Sequence, residues 1–233
     1  MQRAYLLHSR PYQEHKLLIE LLTESQGRIG AVVRVGTSKA QRLKRALLQP
    51  FQPLQIELSG RSQLKTLSRV EAAAPALPLV GKPQYAGLYL NELCVRLLAE
   101  GDPVPCVFDG YHQSLLGLAK AEPMEPTLRY FEWLLLDALG AAPSLQFDTQ
   151  GGEIEAKGRY QLVPQQGFEA SQLNEPGANY SGQTLESLSA RQLTPEQWRE
   201  SKHLLRQLLS PLLGDKPLTS RALFQPRKGD SSD

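Results

Sequence analysis

Ser38-Lys39-Ala40-Gln41-Arg42-Leu43-Lys44-Arg45-Ala46-Leu47 lies between two stretches of a different rhythm, and its position decides the fold. Before it, Ile29, Ala31 and Val33 alternate with Arg28, Gly30 and Val32. After it, Leu54, Ile56 and Leu58 alternate with Gln55, Glu57 and Ser59. Such alternation is the period-2 pattern of strands with one buried face. The quoted stretch lacks it and predicts one or two helical turns.

Working outward, segments near 3–8, 16–23, 28–35, 54–59 and 64–70 are rich in Leu, Ile and Val. Turn residues separate them, including Ser9-Arg10-Pro11, Ser25-Gln26-Gly27 and Ser59-Gly60-Arg61. Five short strands with a helix between the third and fourth predict a five-stranded OB-fold β-barrel over residues 1–80. Pro75, Pro78 and Pro83 then form a hinge, after which apolar residues keep helical spacing. Tyr85, Leu88, Tyr89, Leu93 and Leu97 predict a helix up to Gly101, and further helices are expected near 104–120 and 126–140. The segment at about 143–180 is Gly-, Gln- and Pro-rich and reads as an irregular insertion. Its short strand candidates are Tyr160-Gln161-Leu162-Val163 and Gly167-Phe168. Thr194-Pro195-Glu196-Gln197 is a capping box opening a last helix to about Leu213, with Gly214 as its stop. The Ser/Asp-ended tail from Gly229 reads as disordered. The fold class is therefore α+β, with a mainly α-helical domain over 81–233 following the barrel.

The chain has 233 residues and a net charge of +2, but the charge is unevenly placed. Residues 1–82 hold 13 Lys and Arg against 5 Asp and Glu, which leaves 13 against 19 in the remainder. A basic front and an acidic back predict a polyanion as partner of the first domain. No apolar run approaches the roughly 18 residues of a membrane-spanning helix, and the N-terminus shows no long apolar export segment. Cys94 and Cys106 cannot by themselves build a disulfide framework or a four-thiolate zinc site, so a reducing cytoplasm is expected.

Catalytic apparatus is not legible. His8, His15, His112 and His203 fall on different elements and lack metal-ligand spacing. Gly81-Lys82 is followed by Pro83 and is not preceded by a phosphate-loop glycine. No Gly-x-Ser-x-Gly elbow occurs, and the pairs Glu20/Glu24 and Glu153/Glu155 resemble solvated faces. Neither a cofactor nor an enzymatic activity is expected.

Binding chemistry is more visible. Arg28, Arg34, Lys39, Arg42, Lys44 and Arg45 occur with no acidic residue among them, a candidate phosphate-tracking stripe. The first 82 residues contain three aromatics, Tyr5, Tyr12 and Phe51, so contact is expected to be chiefly electrostatic and sequence-tolerant. In the helical half, Leu128-Arg129-Tyr130 sets a cation beside an apolar helix face, a setting able to hold a carboxylate.

Six segments, in order and covering nearly the whole chain, resemble the RecO family of DNA repair proteins in its proteobacterial form. They are His8-Ser9-Arg10-Pro11-Tyr12, Leu22-Thr23-Glu24 through Gly27-Arg28, and Leu48-Gln49-Pro50-Phe51 with Pro53-Leu54. The others are Lys65-Thr66-Leu67 through Glu71-Ala72, Gly87-Leu88-Tyr89-Leu90-Asn91-Glu92-Leu93, and Gly214-Asp215-Lys216-Pro217-Leu218-Thr219-Ser220-Arg221-Ala222-Leu223-Phe224. The resemblance implies binding to single- and double-stranded DNA, annealing without ATP, and partnership with RecR in loading recombinase at the nucleoid. It also implies docking of the acidic, Phe-ended tail of single-strand-binding protein, with Leu128 and Arg129 in the pocket positions. The family's basic pattern after the third strand is only approximate in Arg34-Val35-Gly36-Thr37. Many members carry a four-Cys zinc cluster in the region of residues 143–180, where this chain has no Cys, so zinc is expected to be absent. Two other readings fit the residues: a protein–protein adaptor with an incidental basic face, and an RNA-binding OB protein.

Overall fold

The alternating segments become strands β1 Gln2–Pro11, β2 Lys16–Thr23, β3 Gly27–Arg34, β4 Leu54–Ser59 and β5 Lys65–Ala72. In the computed structural model, which describes residues 1–171 and 179–224, they close into a barrel in the order β1-β2-β3-β5-β4. Its pairs are antiparallel except β3 with β5, which run parallel through Ala31↔Lys65 and Val32↔Thr66. Helix α1, Lys39–Leu47, connects β3 to β4, so the OB-fold expected from the sequence is the observed one. Inward residues such as Leu6, Ile19, Leu21, Val33, Leu54 and Ile56 fill the barrel.

Helix α1 is held mainly at its ends. Ser38 Oγ accepts from the Gln41 amide, satisfying a first-turn donor. Lys44 and Arg45 occupy the last turn, where cations complement the helix dipole. Lys44 Nζ also donates to the Ser68 carbonyl at 2.9 Å, and Leu47 packs against the barrel core. No residue of α1 is fully buried.

Helices α2, Lys82–Leu97, and α3, Pro105–Ala119, cover one side of the barrel. The β1–β2 register shifts between Leu6 and His8, a bulge that takes backbone groups out of the ladder. Asn91 on α2 answers it: its amide donates to the Leu7 carbonyl at 3.1 Å, while its oxygen accepts from Tyr111 Oη at 2.6 Å. Gly87 is required by packing, because a Cβ there would stand 2.6 Å from the Phe51 ring.

The helix expected to continue to Gly101 ends at Leu97. Leu98 turns extended, and the chain runs along β3: Glu100 pairs with Arg28 in parallel fashion, and the Gly101 amide donates to the Arg28 carbonyl at 2.8 Å. Gly27, at φ 65°, meets this segment so closely that a Cβ would lie 1.8 Å from the Asp102 carbonyl oxygen. The start of β3, before its pairing with β5 begins at Ala31, therefore competes successfully with another helical turn.

The chain divides into two compact units, Met1–Met124 joined by the segment from Asp215, and Glu125–Gly214. The change from strand to helix near residue 81 thus falls inside the first unit, because α2 and α3 bury their apolar faces against strand β1. The returning segment forms a 3-10 turn, Thr219–Phe224, whose first amides meet the Glu92 carboxylate on α2.

The second unit contains α4, Met124–Ala138, counted from Glu125, and α6, Trp198–Leu213. Gln197 Oε1 accepts from the Thr194 amide, completing the expected capping box, and Gly214 at φ 63° ends α6. The segment read as an irregular insertion carries both anticipated strands, β6 Arg159–Val163 and β7 Gly167–Ser171, with β8 Tyr180–Ser181 added to β6. Tyr160, Phe168 and Tyr180 give that small sheet its buried face. Helix α5, Gly182–Ser189, has no counterpart in the elements expected from the sequence; Ser181 caps it, and the Glu200 carboxylate accepts from Ser181 and Thr184. Residues 172–178 of the insertion and the tail from Gly229 lie outside the described residues. Among the described residues no helix is long and apolar enough to cross a membrane.

Candidate nucleic-acid interface and peptide site

The six candidate phosphate contacts do not form one set. Arg28, at the start of β3, is half-buried: its guanidinium pairs with Glu20 at 2.8 Å and donates to the Leu98 carbonyl at 2.9 Å. It holds the 98–102 segment on the barrel. Lys44 spends its ammonium on the Ser68 carbonyl. Arg34, Lys39, Arg42 and Arg45 are exposed, Arg34 at the far end of β3 and the other three on α1. With no carboxylate in α1, their charge is not internally compensated.

Strand pairing adds a cation that linear reading does not reach. Lys16 stands opposite Arg34 in the β2–β3 ladder. Arg10 is exposed on β1 beyond the bulge. Both belong to strands whose sequence reads as ordinary amphipathic β, and only the register brings Lys16 beside Arg34. Of the three aromatics in this half, Tyr5 and Phe51 are core residues, and Tyr12 alone is exposed.

Leu128 and Arg129 lie together on α4, in the second unit, and both are buried. Arg129 Nη2 donates to Glu132 Oε1 at 2.7 Å. The cation expected to receive a peptide carboxylate thus already holds one, three residues along the same helix.

Several other titratable groups have structural partners. His112 Nδ1 lies 2.5 Å from Tyr5 Oη, and His203 Nδ1 lies 3.0 Å from Tyr180 Oη. Burial pushes the Tyr5 phenol up to about 12, against the opposing pull of Arg3. Burial, with the nearby Arg3 charge, lowers the His112 pKa. Glu24 pairs with Arg3 at 2.7 Å, while His8 and His15 are exposed. Among the described residues, no group of three His, Cys, Asp or Glu side chains is placed to hold a metal ion.

The family model described as Recombination protein O N terminal matches residues 1–76, and that described as Recombination protein O C terminal matches residues 82–222. Among curated proteins, the DNA repair protein RecO of Stutzerimonas stutzeri is 43% identical over 232 residues, covering 100% of this chain and 96% of the relative. Its counterpart in Pseudomonas paraeruginosa is 43% identical, covering 100% of this chain and 97% of the relative. That of Pseudomonas aeruginosa is 42% identical with the same coverage of 100% and 97%.

Proposed function

The chain belongs to the RecO family of DNA repair proteins, and we propose that within repair it is a recombination mediator that binds single- and double-stranded DNA and anneals complementary strands without ATP. The observation carrying this reading is the exposed cationic set Arg34, Lys39, Arg42 and Arg45, on a barrel segment that contains no carboxylate. Two complementary strands repel through their phosphates, and pairing them is downhill once that repulsion is screened. Each phosphate met by a Lys or Arg releases condensed counterions, so the cations lower the barrier without a reaction step. Such work needs no nucleotide and no catalytic group, and the protein acts as a non-enzyme.

The second unit supplies recruitment in this reading. Leu128 offers an apolar contact and Arg129 a charge-assisted donor for the acidic, Phe-ended tail of single-strand-binding protein. RecR then joins in loading recombinase onto the coated strand, in the cytoplasm at the nucleoid.

A fluorescence-quench assay with complementary strands tests the proposal. Annealing should accelerate over protein-free strands at low salt without nucleotide, and the effect should fade as salt rises. No acceleration at low salt would overturn it.

A further inference from the structure

We propose that Tyr12 is a stacking platform for an unpaired base, which makes the end of the barrel formed by the β1–β2 hairpin and the end of β3 a single-strand site. The proposal rests on the DNA-binding reading above and adds the substrate class and the residue that selects it.

The coverage of the barrel singles out this end. Along β1, Tyr5 and Leu7 are buried beneath α2 and α3, and Asn91 ties α2 to the Leu7 carbonyl. Along β3, the stretch from Arg28 to Gly30 is covered by the 98–102 segment, whose Glu100 accepts from the Gly30 amide at 3.1 Å. Beyond the bulge, β1 is exposed from His8 to Pro11, and Arg34 is exposed at the opposite end of β3 from Arg28.

The hairpin fixes Tyr12 there. Its amide donates to the Lys16 carbonyl at 2.9 Å, and the turn is tightened by Gln13 in the left-handed region at φ 56°. The β2–β3 ladder continues past Lys16↔Arg34 through a bond of 2.8 Å from the Val35 amide to the His15 carbonyl. Tyr12 is 39% exposed on a backbone that pairing already holds, so little order is lost when a flat ligand covers it. Arg10, Lys16 and Arg34 surround the turn with positive charge, against one carboxylate within it, Glu14. An exposed ring flanked by cations matches the two chemistries of a single strand, a base face and a phosphate. Duplex bases are already stacked on one another and have no free face to offer.

The test measures binding of a labelled oligothymidylate, an abasic strand of equal length and a duplex by fluorescence polarisation. The intact protein should prefer oligothymidylate to the abasic strand, which carries the same phosphates without bases. Tyr12→Ala should weaken oligothymidylate binding about tenfold, the effect of losing one base–ring stack, and erase that preference. Abasic and duplex binding should be unchanged, and Tyr12→Phe should behave like the intact protein. A Tyr12→Ala variant that loses nothing, or loses equally on all three ligands, overturns the stacking role while leaving the DNA-binding reading standing. An intact protein that binds none of the three overturns both.

Discussion

Arg129 and Glu132 pair at 2.7 Å on α4 with side chains only 8% and 1% exposed, so the cation suited to a peptide carboxylate is held by a carboxylate of its own helix. A charge this dry is stable only while it is neutralised. Any incoming carboxylate must share the guanidinium with Glu132 or take it over.

Glu132→Gln keeps the shape of the pair and removes its negative charge. A peptide ending in Asp-Phe should then bind more tightly by about 1 kcal/mol, roughly fivefold, because Arg129 loses its charged competitor. Fluorescence polarisation reads this directly, and unchanged affinity would place the peptide pocket away from Arg129. Arg129→Ala should abolish capture but also destabilise the protein by about 3–5 kcal/mol, since it leaves a buried carboxylate without its cation.

The exposed and engaged arginines should separate in a salt titration. Charge reversal at Arg34, Arg42 or Arg45 should weaken DNA binding at low salt and reduce the dependence of log K on log salt by about one for each phosphate no longer neutralised. Arg28→Ala should leave that slope unchanged and instead lower the thermal midpoint, because Arg28 serves Glu20 and the Leu98 carbonyl. A slope altered by Arg28→Ala would mean that the 98–102 segment leaves the barrel when DNA binds.

Asn91→Leu should be costly although it replaces a buried polar group by an apolar one. The bulge carbonyl of Leu7 and the hydroxyl of Tyr111 would each lose the hydrogen bond made with Asn91, for about 1–3 kcal/mol each. Urea denaturation should show a lower midpoint, and an unchanged midpoint would mean that the bulge finds another donor.

Glu92 predicts an acid-sensitive anchor. Burial raises its pKa, but the hydrogen bonds from Ser220 and Thr219 outweigh that and hold it below the usual carboxylate range. A carboxylate with a depressed folded pKa contributes stability above its unfolded pKa and loses it as pH falls through the folded one. Stability of the intact protein should therefore drop on acidification into and below the ordinary carboxylate range, more steeply than that of Glu92→Gln. Parallel pH profiles would show that the anchor carries no linked proton.

The barrel is legible in the sequence because its strands are amphipathic and its one helix interrupts them at a telling place. Helix α5 is not, since eight residues without a strong apolar period are specified by Ser181 and by Glu200, a carboxylate distant in sequence. The end of α2 departs from expectation for a related reason: Leu98 to Gly101 keep helical composition, but the start of β3 offers them hydrogen bonds that no local pattern reveals. Site residues divide in the same way. Arg34, Lys39, Arg42 and Arg45 are visible as a charge run, whereas the engagement of Arg28 and Arg129 depends on partners that only the folded chain brings near. Residue type announces a cation in every case, and its availability follows from geometry.

The clasp between Glu92 and the Thr219–Phe224 turn joins residues 127 and 128 positions apart. During synthesis the barrel-bearing unit cannot be completed when its own strands and helices have left the ribosome. It waits until the whole second unit has emerged and the returning segment follows. A truncation before Asp215 would therefore leave an unfinished first unit as well as a shortened chain, because a segment translated after the second unit closes the unit begun before it.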